Sequence, residues 1–371
     1  MPMMTIQYDH QIFCAQKFGG ISRYFYELIK GIEGEDSVKA LLDVKFSDNV
    51  FLQLLHPDNS WLTHAKFKGK KDLVRIINRV NTFYRTRTNH FDIFHPTYFH
   101  SSCIANRQGR PMVLTVYDLI DEKYHFKTPA LQTLIAHRKK NIQAADLLIA
   151  ISGNTRNDLI EHFGIAPEKI KVIYLGNSLE QKDIDAVTKK ENEHTPYLLY
   201  IGSRKGTHKN FEPFVKAMSQ VLLAEKGLTL VFGGGGVFTK EEELFFKEMG
   251  IDQRVQYVPI HNDTSLIVLY KNAELFVYPS LYEGFGLPLL EAFGCGTPCV
   301  VSAGSSIQEV GGNAAAYFDP TSIDSMAAAV SETFRNKNRQ QELVTAGYER
   351  NKKFGWDITL EQTLATYRSL I

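Results

Sequence analysis

Apolar and polar positions along the chain follow two alternating periods. Short apolar runs from Thr5 to Tyr8, Ala40 to Val44, Phe91 to Phe94, Met112 to Tyr117, Leu147 to Ile151 and Val172 to Leu175 read as buried strands. Between most of them apolar residues recur at steps of three and four, the period of a helix packed on one face. Ile21, Tyr24, Phe25, Leu28, Ile29 and Ile32 follow it, closed by Gly34, and so do Leu131 to Ala144 and Asn154 to Phe163. Such alternation predicts a parallel sheet covered on both sides. A polar stretch from Ser178 to His194, containing KKENEH, breaks the pattern and reads as a surface connection. The alternation then resumes with Tyr197 to Ile201, Thr229 to Phe232, Val255 to Val258, Leu275 to Tyr278 and Val300 to Val301. The expected fold class is α/β: two Rossmann-like doubly wound domains, residues 1–178 and 179–354, with a cleft between them that can grip a two-part ligand.

Composition narrows what these domains can do. The chain has 371 residues, 42 basic against 41 acidic, so no global charge points to nucleic acid. The N-terminus carries no charged region followed by an apolar run, and no segment reaches eighteen uninterrupted apolar residues. A cytoplasmic protein is expected. Cys14, Cys103, Cys295 and Cys299 lack CxxC spacing and read as reduced thiols rather than a disulfide or zinc framework.

Candidate chemistry gathers between Ala273 and Val301. The apolar run Leu275 to Tyr278 ends at Pro279 and Ser280, Gly284 and Gly286 allow a close backbone approach, and Leu287 and Pro288 open a helix. The helix N-terminus attracts anions, phosphate first. Glu283 and Glu291 flank it, suited to the two ends of an elongated polyhydroxylated anion. After Tyr197 to Ile201 comes GSRKGTHK, where Arg204 can clamp phosphate oxygens in pairs and Lys209 adds a point charge. A solvated basic turn is the competing reading. Gly19 and Gly20, before the first helix, repeat the anion cradle or are plain turn chemistry. The run Gly233 to Gly236 is no dinucleotide fingerprint, because Phe238 stands where a third glycine is needed. Asp183 and Asp185 lie in the polar connection and make poor metal ligands there. His95 and His100 flank the loop HPTYFH, either facing the cleft or capping local backbone.

EGFGLPLLE after a strand ending YPS resembles the signature of retaining glycosyltransferases of family 4 (group 1), with the GT-B fold. FGGISRYFYEL resembles the family's glycine loop, and GSRKGTHKN its diphosphate clamp. The resemblance implies transfer of a sugar from a nucleotide-diphosphate donor to a glycan or lipid-linked acceptor hydroxyl, with retention and without a metal or other cofactor. It also implies a final helix, within 355–371, that crosses back to the first domain. Gly19 and Gly20 would approach the diphosphate, Arg204 and Lys209 would bind it, Glu283 would contact the donor-sugar hydroxyls, and Gly284 with the backbone N–H groups of Phe285, Gly286 and Leu287 would reach the sugar or diphosphate. Glu291 would hold the ribose, and Pro259 and Ile260 the base. Tyr117 and Asp118 stand where many relatives carry His-Asp. Tyr117 cannot simply inherit a histidine's role, since a phenol stays neutral near pH 7. A nucleotide-sugar epimerase or a non-catalytic binding protein are the alternatives.

The segment from Lys66 to Arg87 holds eight basic residues and one acid, Asp72, with Leu73, Ile76, Ile77, Val80, Phe83 and Tyr84 on one helical face. It reads either as a core-facing helix with a basic edge or as a helix lying on an anionic membrane surface. Acceptors carried on lipid phosphates favour the surface role, so peripheral association with the cytoplasmic leaflet is expected.

Overall fold

The computed structural model describes residues 3–57, 65, 67–124, 128–189 and 195–371. Lys66 and residues 190–194 of the polar connection lie outside the described residues. The chain forms two compact units, Met1–Gly176 with Trp356–Ile371, and Asn177–Gly355.

In the first unit, strands β1 (Met4–Tyr8), β2 (Val38–Leu42) and β3 (Ile93–His95) pair in the order β2-β1-β3, all parallel. Strands β4 (Val113–Val116), β5 (Leu147–Ala150) and β6 (Ile170–Val172) pair in the order β4-β5-β6. A parallel bridge from Phe94 to Met112 joins the two sets. Ile6, Ile93, Phe94, Leu114, Leu148 and Ile149 have no exposure, which accounts for the unbroken apolar runs. The predicted runs at Ala40 and Val172 are displaced by two residues. Both became the outermost strands, where burial on one side only leaves a weak pattern.

The last helix, Trp356–Arg368, belongs to this unit. Leu360 lies over Gly31, where a Cβ would come within 2.7 Å of it. Tyr367 Oη meets Tyr8 Oη at 2.9 Å and His95 Nδ1 at 2.6 Å, while His95 Nε2 meets Thr115 Oγ1 at 2.9 Å. Helix Lys70–Thr88 turns a polar side inward. Val74, Asn78, Thr82 and Thr86 are buried, and Asn78 accepts from Lys45 N at 2.6 Å and donates to Phe46 O at 2.7 Å. Its apolar stripe faces solvent, with Ile76 at 56%, Val80 at 62% and Tyr84 at 62% exposure.

The second unit is one parallel sheet, β12-β11-β10-β7-β8-β9, built from β7 (Tyr197–Ile201), β8 (Thr229–Gly233), β9 (Val255–Val258), β10 (Leu275–Tyr278), β11 (Cys299–Ser302) and β12 (Ala315–Phe318). Its core packs Phe214, Met218 and Leu222 of helix Phe211–Ala224 against Phe232, Phe246 and Val330. Strand β12 was not expected from the sequence, because its alanines carry no apolar run. The polar connection also contains a short helix, Gln181–Ala186, whose Ile184 is buried and whose end is held by Lys271 Nζ at 2.5 Å from Ile184 O.

Candidate active site

The strand order of the second sheet reverses between β7 and β10. Open parallel sheets bind ligands at such a point, beyond the carboxyl ends of the strands. The loop after β7 ends in a single tight turn, Thr207–Lys209, and the loop after β10 runs to Gly286. Backbone bonds stitch them together: Leu281 N donates to His208 O at 2.7 Å, and Asn210 Nδ2 donates to Pro279 O at 3.2 Å. Lys209 Nζ consequently lies 2.6 Å from Glu283 Oε1, the two side chains 19% and 12% exposed.

A third loop, after β11, fixes Glu283 from the other side. Glu283 N donates to Ser305 Oγ at 3.1 Å, and Ser306 Oγ donates to Glu283 O at 2.8 Å. Ser305 takes a φ of 50°, a region non-glycine residues enter at a cost. These serines escaped the sequence reading, and GSS after a strand was the available sign. Tyr278, pushed well up by burial and then by the neighbouring Glu283 carboxylate, keeps its proton.

Gly286, in the left-handed region at φ 106°, opens helix Leu287–Gly294, with Pro288 in the first turn. Glu291 in that helix is buried, and its carboxylate accepts from Ser178 Oγ and from Tyr270 Oη, the latter at 2.9 Å. Both donors belong to the second unit. Phe285 is buried and stacks edge-on against Phe354.

Arg204 departs from expectation. Its guanidinium is buried, with Nε 2.7 Å from Glu242 Oε1 and Nη2 3.1 Å from Oε2. Nη2 also donates to Gly236 O at 2.9 Å and Val237 O at 3.1 Å. The planar fork is thus occupied by a carboxylate and the glycine run, instead of standing open for phosphate. This also explains the run: at Gly235, φ 72°, a Cβ would lie 2.5 Å from Gly202 O. Glycines there let the chain wrap the arginine. Glu242 sits in a capping box with Thr239 at the start of helix Lys240–Glu248, and TKEE was its legible signal. Ile260 borders the same loop, 3.4 Å from a Cβ placed on Gly233, and Pro259 before it is exposed.

The remaining candidates belong to the first unit. Gly19 has extended backbone and precedes helix Gly20–Glu33, and its carbonyl accepts from Ser22 Oγ at 2.9 Å. Tyr117, just past β4, is buried, and among the described residues its hydroxyl has no hydrogen-bond partner. Burial pushes this phenol well up. Asp118 Oδ1 accepts from Ile120 N at 3.2 Å. His95 lies inside the fold, whereas His100 is half-buried beside a cavity. Among the described residues no group of three or more His, Cys, Asp or Glu is placed to hold a metal ion. A surface concavity of about 840 Å3 runs along helix Lys337–Asn351 and includes none of the motif residues.

The model for glycosyl transferases group 1 matches residues 181–350, and that for glycosyltransferase family 4 matches residues 18–181. The chain belongs to the family-4, group 1 glycosyltransferases. Among similar sequences is the O-antigen chain mannosyltransferase B of Escherichia coli, 28% identical over 240 residues, which span 62% of each chain. This chain therefore matches less than two thirds of that protein's length. An MMP alpha-(1->4)-mannosyltransferase of Mycolicibacterium hassiacum is 25% identical over 77% of this chain and 72% of its own. The GT-B fold recurs in HepE of Anabaena, solved with UDP and glucose, at TM-score 0.71 and 19% identity over 99% of this chain and all of that one. Sucrose-phosphate synthase of Thermosynechococcus elongatus gives TM-score 0.74 at 20% identity, over 99% of each chain.

Proposed function

We propose that this member of the family moves a sugar from a nucleotide-diphosphate donor to an acceptor hydroxyl with retention of anomeric configuration, in assembly of a bacterial surface polysaccharide or glycolipid. The observation that carries the reading is the Lys209–Glu283 pair at the reversal of the second sheet, with Glu291 on the helix that follows. An ammonium has three N–H donors, so Lys209 can keep Glu283 and still bind a diphosphate oxygen. As the glycosidic bond breaks, negative charge grows on the diphosphate and positive charge on the anomeric carbon. Lys209 and the N-terminus of helix Leu287–Gly294 meet the first, without a metal ion, and Glu283 meets the second. Glu291 is left to the ribose hydroxyls, Pro259 and Ile260 to the base, and the backbone of Gly284 to Leu287 to the sugar. Arg204 enters as the frame of the glycine run rather than as a clamp. Gly19, Gly20, Tyr117 and Asp118 are assigned to substrate.

Two relatives are named as mannosyltransferases, one of them for O-antigen, and HepE was solved with UDP and glucose, which supports a hexosyl donor and a glycan acceptor. Incubation with a panel of UDP- and GDP-sugars and no acceptor tests the reading. Slow release of nucleoside diphosphate is expected; an altered sugar would mean epimerisation, and an untouched donor would mean binding alone.

The outward apolar stripe of helix Lys70–Thr88, edged by Lys70, Lys71, Arg79 and Arg87, supports peripheral attachment to an anionic membrane at the cytoplasmic face. No helix among the described residues is long and apolar enough to cross a membrane.

A further inference from the structure

The first sheet has its own reversal, between β1 and β3. Beyond it lies a cavity of about 260 Å3. His10 reaches it from the loop after β1, Tyr98 and His100 from the loop after β3, Arg75 and Arg79 from helix Lys70–Thr88, and His137 from helix Pro129–Ala144. We infer that this cavity is a phosphate subsite for the acceptor, with Arg79 as its principal cation.

Charge makes the case. Arg79 Nη2 lies 3.1 Å from His100 Nε2, and among the described residues it has no carboxylate partner. An arginine facing an imidazole beside further histidines is a cation left open for an anion. The nearby carboxylates form no ion pair with it. Asp9 is buried and fully engaged, accepting from Thr97 N at 2.9 Å, Thr97 Oγ1 at 2.7 Å and Gln11 Nε2 at 2.5 Å. Asp72 pairs with Arg75, at 3.3 Å, out in solvent. Burial and then Arg79 hold His100 below the usual imidazole range, which suits a neutral ring accepting from the guanidinium. His100 Nε2 accepts from Arg79 and its Nδ1 meets Ser102 Oγ at 2.9 Å, so this ring orients the guanidinium, and the His137 ring, 5.7 Å away, is the one set to meet the anion. Phosphate suits this set better than carboxylate, because its oxygens can meet a guanidinium fork and the His137 imidazole together. Helix Lys70–Thr88 carries Arg75 and Arg79 beside the stripe proposed to touch the membrane, which places the subsite within reach of a lipid-borne phosphate.

The assignment of this anion to the acceptor rests on the transferase reading, whereas the site does not. The test is a titration of the full chain with inorganic phosphate at constant ionic strength, reading the histidine ring resonances, with those of His100 and His137 identified by His100→Gln and His137→Gln. Saturable shifts of both are expected, weakened at least roughly tenfold in Arg79→Gln, less so in Arg79→Lys, which keeps the charge without the fork, and retained in Lys209→Ala. A parallel arm uses vesicles of phosphatidylglycerol against phosphatidylcholine. Shifts with free phosphate identify the group itself as ligand, and shifts with phosphatidylglycerol vesicles alone identify a lipid headgroup as its source. No response to either, or a response that survives Arg79→Gln, overturns the site. Phosphate binding in a chain that cleaves no donor would sink the transferase reading and leave this one standing.

Discussion

Lys209 Nζ lies 2.6 Å from Glu283 Oε1 across 74 residues of sequence, so the cation after β7 and the carboxylate after β10 act as one unit. Lys209→Ala should slow transfer and weaken nucleoside diphosphate binding by roughly tenfold to a hundredfold, the scale of one charge-assisted contact. Glu283→Gln should lower kcat by about a hundredfold while leaving nucleoside diphosphate affinity nearly unchanged. In the double variant the losses should fall well short of additive. Strict additivity would show that the two side chains work independently.

Glu291 makes the same contacts before and during reaction if it holds ribose. Glu291→Gln should therefore raise the donor KM with little change in kcat. Tyr270→Phe, which removes one donor to that carboxylate, should move KM in the same direction by a smaller factor. A kcat effect exceeding the KM effect in either variant would place Glu291 at the reacting centre.

Arg204 frames the glycine run, so Arg204→Ala should lower the melting temperature, since it removes the ion pair with Glu242 and the hydrogen bonds to the Gly236 and Val237 carbonyls. Gly235→Ala should do the same through its positive φ and the contact with Gly202 O, at about 1–3 kcal/mol. An Arg204→Ala variant that melts normally and loses nucleotide affinity would restore the clamp.

His95 has no exposure, and burial lowers its pKa from 6.5 to about 3. The folded state keeps the ring neutral while the unfolded chain takes a proton below pH 6.5. The stability it contributes is whole above that value and is lost as pH falls toward 3, with a limiting slope of roughly 1.4 kcal/mol per pH unit. Melting of the wild type should fall more steeply from pH 7 to 4.5 than that of His95→Gln. Parallel curves would mean the ring is not buried neutral.

Replacing the exposed Ile76 and Phe83 together by Ser should reduce co-sedimentation with phosphatidylglycerol vesicles at low salt without lowering the melting temperature, because neither side chain is buried. Equal recovery with phosphatidylcholine vesicles would remove the membrane role.

Most strands and the paired loops were legible because central parallel strands, buried on both faces, leave unbroken apolar runs such as LLIA and LFVY. The edge strands β2 and β6 left runs displaced by two residues, and the alanine-rich β12 left none. Glu283, Lys209 and Glu291 could be picked from spacing, since each follows a strand end or helix start. Arg204 could not be placed that way. Its partner Glu242 lies 38 residues on, and only the fold brings the two together. The stripe on helix Lys70–Thr88 was visible, but periodicity gives a face without saying which way it points. There the buried side is the one with Asn78, Thr82 and Thr86.

Asn177 N donates to Phe354 O at 3.2 Å, so the second unit begins and ends side by side. It is an insertion in the first, and its two ends could be joined by a short linker without stretching the fold. Residues 177–355 should be expressible alone, as a folded unit. The reverse cut is not equivalent. A stop codon before Trp356 spares the insertion but strips the first unit of the helix that carries Tyr367, leaving Tyr8 and His95 with a missing partner in its core.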